Sequence, residues 1–171
     1  MNTVLVAKLV GIPAALVLGG YHLTLSHNVI PVLYDQSASV ALSSFSPIYM
    51  KALTEVFLPS GFLSLASLGT LTCNARSATE RILYGTATAL IIGFGVVTKF
   101  VIVPVADRLL FFEETTPLDS KFGSKEEVVK LLKAFTSQNW IRVVFALGAG
   151  LIALYAAMTT TEKKASKSIL G

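Results

Sequence analysis

Charge is scarce in this chain: 14% of its 171 residues are Asp, Glu, Lys or Arg, where a soluble domain carries about a quarter. With 53% hydrophobic residues and a mean hydropathy of +0.69, that deficit excludes an ordinary soluble globule. Cysteine is nearly missing as well. The single Cys73 rules out an intramolecular disulfide and any multi-cysteine metal or iron–sulfur site, and it reads as a small buried residue at a span end. No His-Glu-x-x-His or Glu-x-x-His element occurs, so the helical metal-binding patterns are lacking. The basic residues are scattered and form no nucleic-acid recognition motif. A cleavable leader pattern is missing too. The first apolar run continues past signal-peptide length without a small-x-small exit, and reads as a retained span.

What the chain has instead is four apolar stretches, at about 5–33, 53–71, 82–105 and 141–158. Each approaches the roughly 20 residues a helix needs to cross a hydrocarbon core about 30 Å thick. The expected fold is all-α: one integral membrane domain over residues 1–171, a four-helix bundle running up-down-up-down. Residues 35–49, rich in serine, read as an irregular connection. In the longer connection 107–138, Ser124 and Glu127 have capping-box spacing. Val128, Leu131, Leu132 and Phe135 then share a face, with Lys125, Glu126, Lys130 and Lys133 as the polar side. A short amphipathic helix at about 124–136 is therefore expected in the interface between spans three and four, as a structural cap or a lid.

Small residues recur four apart: Ala7, Gly11, Ala15 and Gly19 in span one, Gly85, Ala89 and Gly93 in span three, Ala149, Ala153 and Ala157 in span four. Such stripes let helices approach closely in lipid, within the bundle or in a homo-oligomer. Pro13, Pro31, Pro59 and Pro104 lie within or at the edges of spans and tend to kink them. At Pro31 and Pro104 a kink would widen a cavity; the alternative is simple helix termination. The side with both termini holds six basic and two acidic residues, and the other side eight of each. The net charge of +4 thus sits with the termini, while the Lys and Arg count leans the other way.

Most residues that break the apolar stretches fall at the end of span one, the start of span two, the end of span three and the start of span four. In an up-down-up-down bundle these places share one membrane face. His22 is the deepest titratable group there, and Ser26, four residues on, shares its helical face. A histidine inside a span faces the bundle interior with a partner. It is either a hydrogen-bonded packing residue or, desolvated and oriented, a general base. His27 is turned about 140° away, so the two cannot chelate one metal, and with Asn28 and Tyr34 it reads as interface lining. Lys51 and Glu55 have ion-pair spacing. Lys99, about two turns inside Asp107, must snorkel, pair with Glu55 or polarise an anionic ligand. Trp140 and Arg142 suit an interface anchor. Asn139 and Arg142, three apart on one face, can equally present an amide and a guanidinium to a phenolate, carboxylate or peroxide.

Three stretches carry a family resemblance: Gly19-Gly20-Tyr21-His22 on to Asn28-Val29-Ile30-Pro31, Thr98 to Asp107 with Pro104, and Asn139-Trp140-Ile141-Arg142 ahead of a Gly/Ala-rich fourth span. In these the chain resembles the small four-span membrane proteins that include the fungal anthrone oxygenases of polyketide pathways. The resemblance implies oxidation of an anthrone to an anthraquinone, with molecular oxygen as co-substrate and no metal, flavin or other cofactor. It also implies the endoplasmic reticulum or another internal membrane. Under it, His22 is the base, and Arg142, Asn139 and Lys99 stabilise an enolate or peroxide. Tyr21 and Trp140 stack on a flat aromatic substrate, and Ser26 and Glu55 complete the substrate-binding set. The alternative is a non-enzymatic scaffold or assembly subunit that binds partner spans through the small-residue stripes. A carrier or channel fits less well, because the half with Cys73 and Arg76 has few polar groups to continue a path.

Overall fold

Asn2 opens the first helix: its Oδ1 accepts the N–H groups of Val4 (3.1 Å) and Leu5 (3.4 Å), two donors an uncapped end would leave bare. The structure, a computed structural model, describes residues 2–115 and 125–169, with side chains placed through 114 and again over 125–159. The regular elements among them are helical: α1 (Thr3–Thr24), α2 (Ala38–Lys51), α3 (Leu58–Cys73), α4 (Ala78–Val97), α5 (Val103–Thr115) and α6 (Lys125–Ile169). Short π and 3-10 turns join these into four rods, Thr3–Asp35, Ala38–Cys73, Ala78–Glu114 and Lys125–Thr159, each long and apolar enough to cross a membrane. The chain is a multi-pass membrane protein with the expected all-α architecture.

Small residues set how closely the rods pack. α1 and α6 are antiparallel, with Gly19 against Leu147 and Gly150 against Leu16. A Cβ on Gly19 would come within 2.7 Å of the Leu147 side chain, and one on Gly150 within 2.6 Å of Leu16. Gly11 meets Ser67 of α3 just as tightly. Ala7, Gly11, Ala15 and Gly19 are all buried, so the first-span stripe is used up inside the bundle. α3 and α4 form a hairpin in which the hydroxyls of Thr72 and Thr88 meet at 3.2 Å. The result is the up-down-up-down order.

Three of the four rods contain one π-helical turn, at Leu25–Val29, Ala52–Phe57 and Thr98–Ile102. Each turn ends two residues before a proline: Pro31, Pro59 and Pro104. Proline has no N–H to bond four residues back, and its ring crowds that carbonyl. Widening the preceding turn absorbs the mismatch without breaking the rod. At Pro31, Pro59 and Pro104 the expected distortions take this form, whereas Pro13 sits inside α1 without such a turn.

A rod of 33 residues is about 50 Å long, well beyond a hydrocarbon core of about 30 Å. The excess lies on the side away from the termini. There Leu33, Leu42, Phe45, Leu109, Val128 and Leu132 build a separate buried cluster, and two expectations change. Residues 35–49 are not an irregular connection: α2 begins at Ala38, because Ala41, Leu42, Phe45 and Tyr49 recur at helical spacing and are buried. The serines take the exposed and half-exposed positions between them. Nor is the amphipathic helix a separate interfacial element, since α6 runs unbroken from Lys125 through span four. Val128, Leu132, Phe135, Asn139, Arg142, Ala146 and Ala149 form one buried line in steps of three and four. No Gly or Pro interrupts residues 125–147, so the two segments stay in phase. Ser124, the expected cap, lies outside the described residues. Cys73, expected to be buried, is exposed at the end of α3.

Candidate functional site

Away from the termini, the buried layer changes from alanine and glycine to polar residues. His22, Ser26, Thr98, Asn139 and Arg142 are each at most 5% exposed. His22 lies about 29 Å along the first rod from Thr3, near the far boundary of the hydrocarbon. Asn139 Nδ2 donates to Ser26 Oγ at 2.8 Å and to the His22 carbonyl at 3.2 Å. These bonds pin α6 to the first rod where α1 gives way to its π turn. Arg142 Nη2 lies 3.0 Å from His22 Nε2. A guanidinium can only donate, so Nε2 accepts, and the ring proton sits on Nδ1. That Nδ1, Asn139 Oδ1 and Arg142 Nε are all buried without a hydrogen-bond partner among the described residues.

The Arg142 guanidinium lies 4.8 Å from the Phe94 ring centre and 5.7 Å from that of Phe57, and the two rings stack on each other at 5.5 Å. Ring faces attract a cation, but they do not neutralise it. Among the described residues Arg142 makes no ion pair. A buried cation set against a neutral imidazole and two rings, with the Tyr49 phenol in the same cavity lining, is a costly arrangement.

His22 and Arg142 form one wall of a cavity of about 20 Å³, room for about one water. Tyr49, Thr98, Phe135 and the apolar Leu25, Ile30, Ile48, Ala52 and Leu53 complete it. Leu25, Ala52 with Leu53, and Thr98 come from the three π turns, so every distorted rod touches this space. Such turns recur at functional sites in helical proteins. Asn139 and Ser26 stand behind the wall and hold it. Among the described residues no three His, Cys, Asp or Glu side chains converge.

The family model for anthrone oxygenase matches residues 45–152, more than half of the chain. The chain belongs to the anthrone oxygenase family. No curated protein and no solved structure matches it. The stretch that matches the anthrone oxygenases contains Tyr49, Thr98, Asn139 and Arg142, and begins after His22 and Ser26.

In this member of the anthrone oxygenase family, four of the eight residues singled out from sequence come together: His22, Ser26, Asn139 and Arg142. The other four do not line the cavity. Lys99 follows the inward-facing Thr98 by about 100° of helix turn and is exposed, its ammonium 5.5 Å from the exposed Phe100 ring. Glu55 sits in the second π turn and is also exposed; no ion pair among the described residues joins it to Lys51 or Lys99. Trp140 is 40% exposed and points off the Asn139 face. Tyr21 is half-buried and meets His22 edge-on at 5.9 Å, outside the cavity. These four belong to a belt at the membrane boundary, together with the exposed His27 and Asn28, which bond each other at 2.8 Å. Sequence reasoning missed Tyr49, Thr98, Phe94, Phe57 and Phe135 as site-forming residues. Tyr49 carried a usable signal, since it completes the helical repeat of Phe45 and Leu42.

Proposed function

We propose that this chain is a membrane-embedded oxygenase that converts an anthrone-type polyketide to its anthraquinone with molecular oxygen, using no metal, flavin or other cofactor. The observation that carries the reading is Arg142, a buried guanidinium without a counter-ion among the described residues, at the wall of an aromatic-lined cavity. Such a site lacks one anion, and the enolate of an anthrone is a flat aromatic anion. Family membership supplies the substrate class.

The anthrone CH₂ lies between two aryl rings and is conjugated to the carbonyl, so its proton is acidic. In the resting site the His22 Nε2 lone pair is taken up by Arg142. As the guanidinium turns towards the developing enolate oxygen, that lone pair is freed to accept the CH₂ proton. Base activation and oxyanion stabilisation are thereby one movement. The electron-rich carbon reduces O₂ and forms a C–O bond, and the outer peroxide oxygen takes the proton back from His22. Loss of the remaining C–H proton with cleavage of the O–O bond leaves a carbonyl and one water. One oxygen atom ends in the quinone and one in water, and the substrate supplies all the electrons. Asn139 acts by holding His22 and Ser26 in place.

The cavity of about 20 Å³ is far below the roughly 300 Å³ or more of pockets that enclose such ligands. Substrate entry therefore requires the wall formed by Ile48, Tyr49, Ala52 and Leu53 to move away from His22 and Arg142. An apolar substrate would arrive from the lipid of the endoplasmic reticulum or another internal membrane. The test is to supply an anthrone and oxygen to membranes containing the protein, with a chelator in parallel. The expected result is quinone formation above the spontaneous rate, insensitive to chelator and lost in His22→Ala. Wild-type turnover by His22→Ala would remove the base, and a rate no higher than spontaneous would remove the enzyme.

A further inference from the structure

A second polar cup lies at the opposite membrane face, and the reaction above makes no use of it. A cavity of about 70 Å³ opens between the start of α1, the end of α3 and the start of α4, with Lys8, Leu71, Asn74, Arg76, Glu80 and Tyr84 in its lining. Tyr84 is 2% exposed, yet its hydroxyl has no hydrogen-bond partner among the described residues. A buried O–H donor left unsatisfied is unfavourable, and such groups normally find a partner in the protein, in water or in a ligand. Lys8 is half-buried on α1 and makes no ion pair among the described residues. Glu80 Oε2 accepts the backbone N–H of Arg76 at 2.9 Å, which closes the turn between α3 and α4. The lining thus carries two cations against one carboxylate, one net positive charge, beside an unpartnered donor.

We propose that this cup binds a phosphate group, with the Lys8 ammonium and the Tyr84 hydroxyl as its principal donors and Arg76 at the rim. The phosphate is that of an anionic phospholipid in the adjoining leaflet or a free anion. The lipid source follows from position: the cup sits where the rods meet the headgroups, and Val4 and Leu71 extend its wall with apolar surface. Headgroup phosphates are attracted to basic residues at that depth.

The test uses the full chain in phosphatidylcholine nanodiscs or detergent, titrated separately with short-chain phosphatidylglycerol and with inorganic phosphate. Calorimetry and melting temperature provide the readouts. One saturable site and a raised melting temperature are expected, with affinity falling about tenfold in Lys8→Gln, as for loss of one charge-assisted bond. Tyr84→Phe keeps the ring and its packing. Its ligand-free melting temperature should hold or rise, while phosphate-induced stabilisation shrinks. That combination separates a binding role from a structural one. Lys133→Gln, on the other membrane face, should bind as wild type. Saturation by the lipid alone identifies the headgroup as the source, and equal saturation by inorganic phosphate identifies the free anion. No saturable binding of either, or binding unchanged in both Lys8→Gln and Tyr84→Phe, overturns the site.

Discussion

Arg142 sits between two kinds of partner, an imidazole that accepts from it and two ring faces along which it lies. Lysine would keep the charge but lose the planar fork that reaches His22 while stacking on Phe94. Arg142→Lys should therefore lower kcat about 100-fold, the scale of losing an oxyanion donor, with the thermal unfolding curve nearly unchanged. Turnover in membranes checks this, and a loss below about threefold would mean that charge alone suffices. Asn139 acts differently, because it stands behind the cavity wall. Asn139→Ala removes two interhelical hydrogen bonds, each worth about 0.6 kcal/mol in a membrane bundle, so a stability loss of about 1 kcal/mol is expected in detergent unfolding. Its kcat should fall through a displaced His22, while KM stays near wild type. Spacing on a regular helix was enough to bring His22, Ser26, Asn139 and Arg142 together on paper. It failed for Lys99 and Glu55, which were placed by depth in the span and by pairing with Lys51 and not by the face they share with an inward residue: Lys99 adjoins the buried Thr98, and both are exposed.

The helices themselves were legible wherever apolar runs were long, and less so where they were diluted. Serine at the exposed positions of α2 hid a repeat of Ala41, Leu42, Phe45 and Tyr49 that a search for periodicity, not composition, reveals. The amphipathic face of residues 125–136 was plain, but its continuity with span four followed only from the shared phase of the buried line through Asn139 and Arg142. The prolines marked the distortions, though nothing in one sequence distinguishes a kink from a π turn. α2 matters to the site because it supplies Tyr49 and Ile48 to the cavity. Its anchor is Phe45, 1% exposed, stacked on Tyr49 at 5.7 Å and edge-on to Phe135 at 5.1 Å. Phe45→Ala should cost about 3–5 kcal/mol, read as a lowered unfolding midpoint. It should also raise KM for the anthrone, because the wall that positions Tyr49 loses its support.

Across the whole molecule the bundle divides into a tight half and a loose half. Near the termini, Gly11, Ala15, Ala149 and Ala153 let the rods nearly touch backbone to backbone, and the buried surface is alanine-rich. Towards the other face the three π turns and the rings of Phe57 and Phe94 hold the rods apart around the cavity. On the proposed reaction, the tight half would be the clamp that holds the spans together while the wall of Ile48, Tyr49, Ala52 and Leu53 moves aside for a substrate. Two glycines of the same helix test this. Gly11 is pressed against Ser67, whereas a Cβ on Gly20 would meet nothing within 4 Å. Gly11→Leu should destabilise the single chain by about 3 kcal/mol, the upper range of ordinary overpacking. Gly20→Leu should be neutral or slightly stabilising, since it only removes glycine from a helix. Unfolding in detergent, together with light scattering for the association state, separates two uses of the first-span stripe. If Gly11→Leu left the melting of the single chain untouched and changed only its association, the stripe would be an oligomer surface. The close α1–α3 contact, and with it the clamp, would then have to be abandoned.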